Sequence, residues 1–430
     1  MSLKSLDQKL EQLRADREAK AFILADAKDA DMAFGVRATG KRNYLSNLGA
    51  RPAQFSPEIW SRDEFGHRNL PEFLDIIREV IAQGVVDIVL MSAYVNEILT
   101  INEKLFEQSH VTPAARANDA TDVWAIRHGA YVGEPAQTFR SASIDHIQCG
   151  AHECDRSGDR FPGANLGLYS VTFLNDLDRD RDTLNDFKAF REEAERKKFR
   201  YFLEVFDPNV DSGIPAEDLG QFINDNIIRI LAGVPSAARP DFLKIVYHGP
   251  RHMEELAQYD PNMIVGILGG SAGTTYDAFR LLHDAKKYGA RVALYGRKIN
   301  NAEHQLAFIE ILRHIAEGRV EPLEAVHAYH GVLQSKGIRP TRDLQEDLAL
   351  THQAMSYDAN NKSKSSVNFP VNPVATTPKD APEARGQGDQ RTVSEVLPWP
   401  TKENGAPDFA SMTGDQRRAY DRARLKRMFG

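Results

Sequence analysis

Cysteine is scarce, with two in 430 residues, so no disulfide framework is expected to stand in for a packed core. No apolar run approaches the roughly 18 residues that a membrane span requires. The opening stretch, KSLDQKLEQLRADREAK, is charged and of helical character and has no apolar h-region, which speaks against a secretory signal. Positive charge is not in excess either. With 54 Lys and Arg against 61 Asp and Glu the net charge is -7, so no nucleic acid and no anionic membrane is expected as the main partner. What is present is ordinary for a soluble globular protein: 42% hydrophobic and 27% charged residues, enough to bury a large core. The resulting expectation is a cytoplasmic enzyme with one catalytic domain and appendages.

Short apolar runs recur along the chain, each followed by a stretch of helical periodicity, the alternation that predicts a parallel sheet. Eight are found: AFILAD (21–26), VDIVLMS (86–92), DVWAIR (122–127), NLGLYSVTF (165–173), YFLEVF (201–206), FLKIVY (242–247), MIVGILGG (263–270) and RVALYG (291–296). Eight units favour a closed (β/α)8 barrel over an open doubly wound sheet, whose G-x-G-x-x-G fingerprint is missing after the first strand. The domain plan is an N-terminal helix (1–19), the α/β barrel (20–318), two C-terminal helices split near Pro340 (319–356), then a flexible linker and tail (357–430). Residues 27–70 form a long connection on the active-site face, a candidate lid. The basic end of the tail, DQRRAYDRARLKRMFG, reads as a solvated or partner-docked helix.

Chemistry concentrates at strand ends. Lys244 interrupts the apolar run DFLKIVYHGP, and strand alternation puts it on one face with Phe242, Val246 and His248. Burial disfavours an ammonium ion, and a neutral amine can attack a ketone or aldehyde to form an iminium. A structural salt bridge is the competing explanation. Glu204, in the middle of YFLEVF on the preceding strand, is its natural partner and a candidate proton shuttle. Asp26 closes strand 1, with Lys28 two residues on and hence on the same side. Gly269, Gly270 and Ser271 follow strand 7, and Gly296 and Arg297 follow strand 8. Barrels frequently place a substrate phosphate there, held by backbone amides at a helix start and by a cationic side chain. His146, Cys149, His152 and Cys154 gather in one segment, but their spacing matches no zinc pattern. It is therefore read as an irregular loop with reduced cysteines, and no metal or other cofactor is expected.

The stretches YFLEVFD, DFLKIVY and ILGGSAGTTYDAFRLLHDAKKYGARVALYGRKI resemble the class I, metal-independent aldolases of the TIM-barrel fold, which include tagatose-bisphosphate aldolase and the bacterial and archaeal fructose-bisphosphate aldolases. The resemblance covers strands 4 to 8 well and strand 1 more loosely, through Asp26, Ala27 and Lys28. It implies Lys244 as the Schiff-base residue and Glu204 as the acid/base or proton relay. Lys28, Gly269, Gly270, Ser271, Gly296 and Arg297 would hold the substrate and its phosphate. Asn165 stands where tagatose-type enzymes often carry a lysine. Tyr169 on strand 4, preferred to Tyr247 on the parity of its strand, is the candidate general acid, with Asp26 the alternative for deprotonating the hydroxyl. The implied substrate is a phosphorylated ketose or keto-sugar, and a homo-oligomer is expected. Alternatives are a transaldolase, a decarboxylase or an isomerase using the same iminium, or a barrel that binds sugar phosphate without turnover.

Overall fold

In the computed structural model, the described residues are 4–16, 18–29, 70–124, 129–158, 160–270 and 273–351, with scattered positions between 399 and 423. The candidate lid lies mostly outside them, as do the 357–392 linker and most of the basic tail. The chain divides into two compact units, 1–370 and 371–430. In the smaller one Trp399 meets Tyr420 edge to face at 5.2 Å.

The larger unit is built on a closed parallel (β/α)8 barrel. Its strands are β1 (Ile23–Lys28), β2 (Ile88–Met91), β3 (Thr112–Arg116), β4 (Leu166–Thr172), β5 (Arg200–Phe206), β6 (Leu243–Ile245), β7 (Gly266–Leu268) and β8 (Val292–Tyr295). Each pairs with its sequence neighbours, and β8 returns to β1 from Ile23↔Val292 to Asp26↔Tyr295. Seven strands fall where alternation put them. The third does not: residues 121–123 form a turn, 125–128 lie outside the described residues, and the strand is TPAAR at 112–116. Pro113 and two alanines carry little β propensity, yet pairing to β2 (Ile88↔Thr112) and to β4 (Ala115↔Gly167) imposes the strand. Tertiary pairing thus outweighs local preference.

Barrel strands are buried on both faces, and the two faces carry separate cores. Ile23, Ala25, Ile88, Leu90, Leu168, Phe202, Phe242, Val292 and Leu294 point inward. Phe202 and Phe242 stack there with centroids 4.6 Å apart. The first helix, α1 (Ser5–Ala15), closes the N-terminal end of the barrel with Leu6, Leu10 and Leu13, one apolar stripe at helical spacing. Charged anchors lock it in place: Lys9 to Asp87 at 2.7 Å and Lys4 to the carbonyls of Phe106, Ser109 and Val111 at 2.6 to 2.9 Å. Burying each leucine contributes about 1.5–3 kcal/mol. The outer face packs Leu24, Tyr169, Val171, Leu203, Val205, Leu243, Ile245 and Tyr295 against the helical ring.

That ring includes α2 (Leu70–Gln83), α3 (Leu177–Arg196), α4 (Leu219–Leu231), α5 (Pro250–Tyr259), α6 (Thr275–Lys287) and α7 (Gln305–Ala316). Beyond it α8 (Pro322–Ser335) and a short turn of helix, Leu344–Asp347, lie on either side of Pro340. Both belong to the same unit as the barrel.

Candidate active site

Inward-facing positions near the C-terminal ends of the strands change from apolar to charged. On β4 the inward sequence runs Leu166, Leu168, Ser170, Thr172. The barrel register places Ser170 beside Glu204 and Glu204 beside Lys244, so three strands contribute one polar row. The Ser170 hydroxyl donates to Glu204 Oε2 at 2.8 Å, and Lys244 Nζ forms an ion pair with Glu204 Oε1. Glu204 is 1% exposed and Lys244 8%. Below this row the interior is hydrocarbon. Above it Phe206, Val246 and Leu268 line the mouth, and His248, two residues past Val246, pairs with Asp207 at 2.9 Å. Phe242, Lys244 and Val246 thus share the inward face, whereas His248, past the end of the strand, lies against Gly220 of α4.

Around the row stands a ring of charge of which sequence reasoning named only Arg297. Arg116, closing β3, binds Asp29 Oδ2 through Nε at 2.9 Å and lies 3.7 Å from Asp119. Burial alone would raise the Asp29 carboxyl, but Arg116 and then Lys244 outweigh it and hold it below the usual carboxylate range. Asp29 is thus the strand-1 acid whose charge reaches Lys244. The opposite balance governs Asp119, raised by burial against the pull of Arg116. Asp122 accepts from the Thr172 hydroxyl at 2.9 Å and is pushed up by burial to about 6. Arg297 completes the ring. Burial lowers its guanidinium to about 10, while Glu204 and Asp29 favour its charged form. A half-buried cation in a mouth of this kind suits an anionic group.

Three expected site residues are placed elsewhere. Asp26 and Lys28 lie on the outer face of β1, paired at 2.9 Å and both fully buried. Lys28 also donates to Asn300 at 2.7 Å and to Gln305 at 2.9 Å, both in the segment after β8. This is a structural pair outside the barrel wall, and neither residue lines the mouth. Burial raises the Asp26 carboxyl against the pull of Lys28. Tyr169 is likewise turned outward, stacked on Phe190 at 4.3 Å and against Phe187 at 5.4 Å, both on α3. Burial drives its phenol above the ordinary value, and its place against α3 keeps it from facing a substrate inside the barrel. Tyr247 also packs in the outer core. All three misplacements have one cause: where every residue of a strand is buried, hydrophobicity does not say which alternate set faces inward, and a slip of one residue exchanges the faces.

The two glycine turns are part of the rim, with a narrower role than expected. The N–H of Gly269 is spent on the sheet, donating to Leu294 O at 2.9 Å, so it is not offered to a phosphate. Its missing side chain serves packing, since a Cβ there would lie 2.1 Å from the Tyr295 ring. Gly270 adopts φ +59°, which glycine takes without strain. Ser271 lies outside the described residues. Gly296 lies against Ala27 of β1, where a Cβ would meet the alanine methyl at 3.0 Å. The start of α6 is satisfied internally. Thr274 and Asp277 form a capping box, Asp347 accepts from Thr275 N at 2.7 Å, and Thr351 N and Oγ1 donate to Asp277 at 2.9 and 2.6 Å. His330 holds the other oxygen of Asp347 at 2.9 Å. Lys298, lowered by burial to about 8, donates to Gly273 O at 2.8 Å and ties the two loops together.

The His and Cys segment corrects another expectation. Cys149 and Cys154 are joined in a disulfide, with Cα atoms 5.9 Å apart, so neither is a free thiol. Residues Ile144–Cys149 are a short helix rather than an irregular loop, and Asp145 within it is gripped by Arg156 and Lys197. Among the described residues no three His, Cys, Asp or Glu side chains are arranged to hold a metal ion.

No protein-family description matches the chain, and no curated protein does. Solved structures similar to it include an archaeal fructose 1,6-bisphosphate aldolase, at 15% identity and TM-score 0.47, spanning 73% of this chain and all of that one. A Schiff-base-forming fructose-1,6-bisphosphate aldolase is similar at 14% identity with the same TM-score and coverage. A Corynebacterium glutamicum protein matches at 14% identity and TM-score 0.42, over 74% of this chain and 94% of its own. The closed barrel stands on its own strand pairing, independently of these likenesses.

Proposed function

We propose that this chain is a Schiff-base lyase of the aldolase type, which breaks or forms a carbon–carbon bond in a phosphorylated ketose or related keto-sugar. The observation that carries the reading is the inward-facing Lys244 on β6, register-paired with Glu204 on β5 at the level where the barrel interior turns from apolar to charged. A lysine held there has an amine aimed at the open end of the barrel, where these folds bind substrate. Attack on a carbonyl gives a carbinolamine, and loss of water gives the iminium, whose electron demand promotes cleavage of the neighbouring bond. Glu204 is in position to take and return the protons of those steps, with Ser170 orienting its second oxygen. Arg297, facing the same charges from the turn after β8, anchors the phosphate, so that binding energy remote from the reacting bond positions it.

The test is incubation of the purified full-length chain with a panel of ketose mono- and bisphosphates, fructose 1,6-bisphosphate among them, followed by product identification. Release of an aldehyde and a ketone phosphate supports the reading. Loss of carbon dioxide, transfer of a three-carbon unit or simple isomerisation would move the iminium to another reaction class, and binding without any turnover would leave a sugar-phosphate-binding barrel.

A further inference from the structure

With Tyr169 and Asp26 outside the barrel wall, the proposed cleavage lacks a group for the substrate hydroxyl, and of the described mouth carboxyls Asp29, Asp119 and Asp122, which the preceding steps do not use, Asp122 is the one with a buried oxygen lacking a donor. Asp122 sits in the turn after the short strand Asp119–Ala120 and is 1% exposed. Its Oδ2 accepts from Thr172 Oγ1 at 2.9 Å, and its buried Oδ1 accepts no hydrogen bond from another described residue. Thr172 is the next inward position beyond Ser170 on β4, so the carboxyl hangs over the Ser170, Glu204 and Lys244 row on its open side. A carboxyl oxygen left without a donor in a dry interior is costly unless a ligand supplies one. A substrate hydroxyl is such a donor.

We propose that Asp122 is the general base that takes the proton of the substrate hydroxyl as the carbon–carbon bond breaks, and the acid that returns it in condensation. This rests on the Schiff-base reading above. In the cleavage direction the hydroxyl proton passes to the Asp122 carboxylate and the O–H electron pair becomes the carbonyl bond of the departing aldehyde. The pair of the broken carbon–carbon bond flows into the iminium, giving an enamine on Lys244. A proton from water restores the iminium, the hydroxide so left takes the proton from Asp122 and returns that group to the carboxylate, and a second water hydrolyses the iminium to the ketone and the free amine with release of its extra proton to solvent. The groups facing Asp122 are Glu204 on β5, which raises its carboxyl, and Arg116 on β3, which lowers it, burial being the largest influence. Asp119, on the same segment, interacts with the same two groups. A carboxyl poised about 6 is a carboxylate at neutral pH, so cleavage rises with pH through that value and falls below it.

The experiment uses full-length wild type, Asp122→Asn and Thr172→Val with two readouts. Borohydride trapping with dihydroxyacetone phosphate reports iminium formation, which needs no hydroxyl deprotonation. Steady-state cleavage of the ketose phosphate that wild type turns over fastest reports the bond-breaking step. The expected result for Asp122→Asn is trapping within about twofold of wild type and cleavage lower by roughly 10²- to 10⁴-fold, with the acid limb of the kcat profile gone. Thr172→Val removes the hydrogen bond that favours the carboxylate, so its acid limb moves to higher pH; this variant decides the matter if Asp122→Asn fails to fold. Folded Asp122→Asn that cleaves within threefold of wild type, or Thr172→Val with an unmoved limb, overturns the proposal and leaves the Schiff base standing. Wild type that traps no ketone, or traps it and cleaves nothing, overturns the proposal as well; the first of these also removes the reading beneath it.

Discussion

Lys28 with Asp26 and Lys244 with Glu204 are both lysine–carboxylate pairs buried in one sheet, and they face opposite sides of it. Lys28 points out toward the helical ring, where Asp26, Asn300 and Gln305 surround its ammonium and water has no access. Lys244 points in, at the level where the apolar filling of the barrel ends, with Arg116, Asp29 and Arg297 in the mouth around it. Residue type and burial are alike in the two pairs; what differs is whether a carbonyl compound can reach the amine. A buried pair on the closed side is a structural element that is costly to break. One at the open end of a barrel is a candidate reagent.

The sharpest way to break this comparison is to remove each lysine. Lys244→Met is expected to lower turnover on the order of 10⁴-fold or more, as loss of a covalent nucleophile does, while circular dichroism shows the barrel intact. Lys28→Met is expected to do the reverse. It leaves Asp26 buried and unpaired, costs roughly 3–5 kcal/mol in denaturant unfolding, and leaves iminium trapping on Lys244 in place. A Lys28→Met protein that is as stable as wild type but inert toward ketones would invert the assignment.

Smaller changes sharpen it. Glu204→Gln is expected to slow carbinolamine dehydration and hydrolysis by about 10²-fold, seen as slower adduct accumulation in rapid-quench trapping. Arg297→Met removes a charge-assisted contact of about 1.5–3 kcal/mol. It should raise KM for a phosphorylated substrate by roughly 10- to 100-fold with a lesser effect on kcat, and leave an unphosphorylated ketose unaffected. Tyr169→Phe stands at the bottom of the scale. Its ring stacks outside the barrel, so kcat is expected within about twofold of wild type, and a larger loss in a stable variant would return the phenol to the site.

The parts of the fold and site legible in the sequence are those where pattern and position agree. The alternation of apolar runs and helices carried the barrel, because a parallel sheet covered on both sides demands it. Glu204 and Lys244 stood out because a charge in the middle of an apolar run needs a partner, and adjacent strands supply one. β3 was hidden because TPAAR looks nothing like a strand until β2 and β4 pair with it. Locating it at DVWAIR put Asp122 in a strand and obscured its place at the rim. Arg116 was missed with the strand it closes, and Asp29 through parity. The inward set of β1 is Ile23, Ala25 and Ala27, which extends to Asp29 and not to Asp26, and a continuous apolar strand offers no sign of this. The internal cap on α6 was invisible because Asp347 and Thr351 are some 70 residues from the amide and carboxylate they satisfy.

The central claim is that the inward-facing amine forms an iminium, and peptide mass spectrometry after borohydride reduction in the presence of dihydroxyacetone phosphate tests it most directly. The account predicts a reduced three-carbon phosphate adduct on the peptide carrying Lys244, absent in Lys244→Met and absent from the peptide carrying Lys28. An adduct on Lys28, or none on Lys244 at saturating ketone, would contradict it.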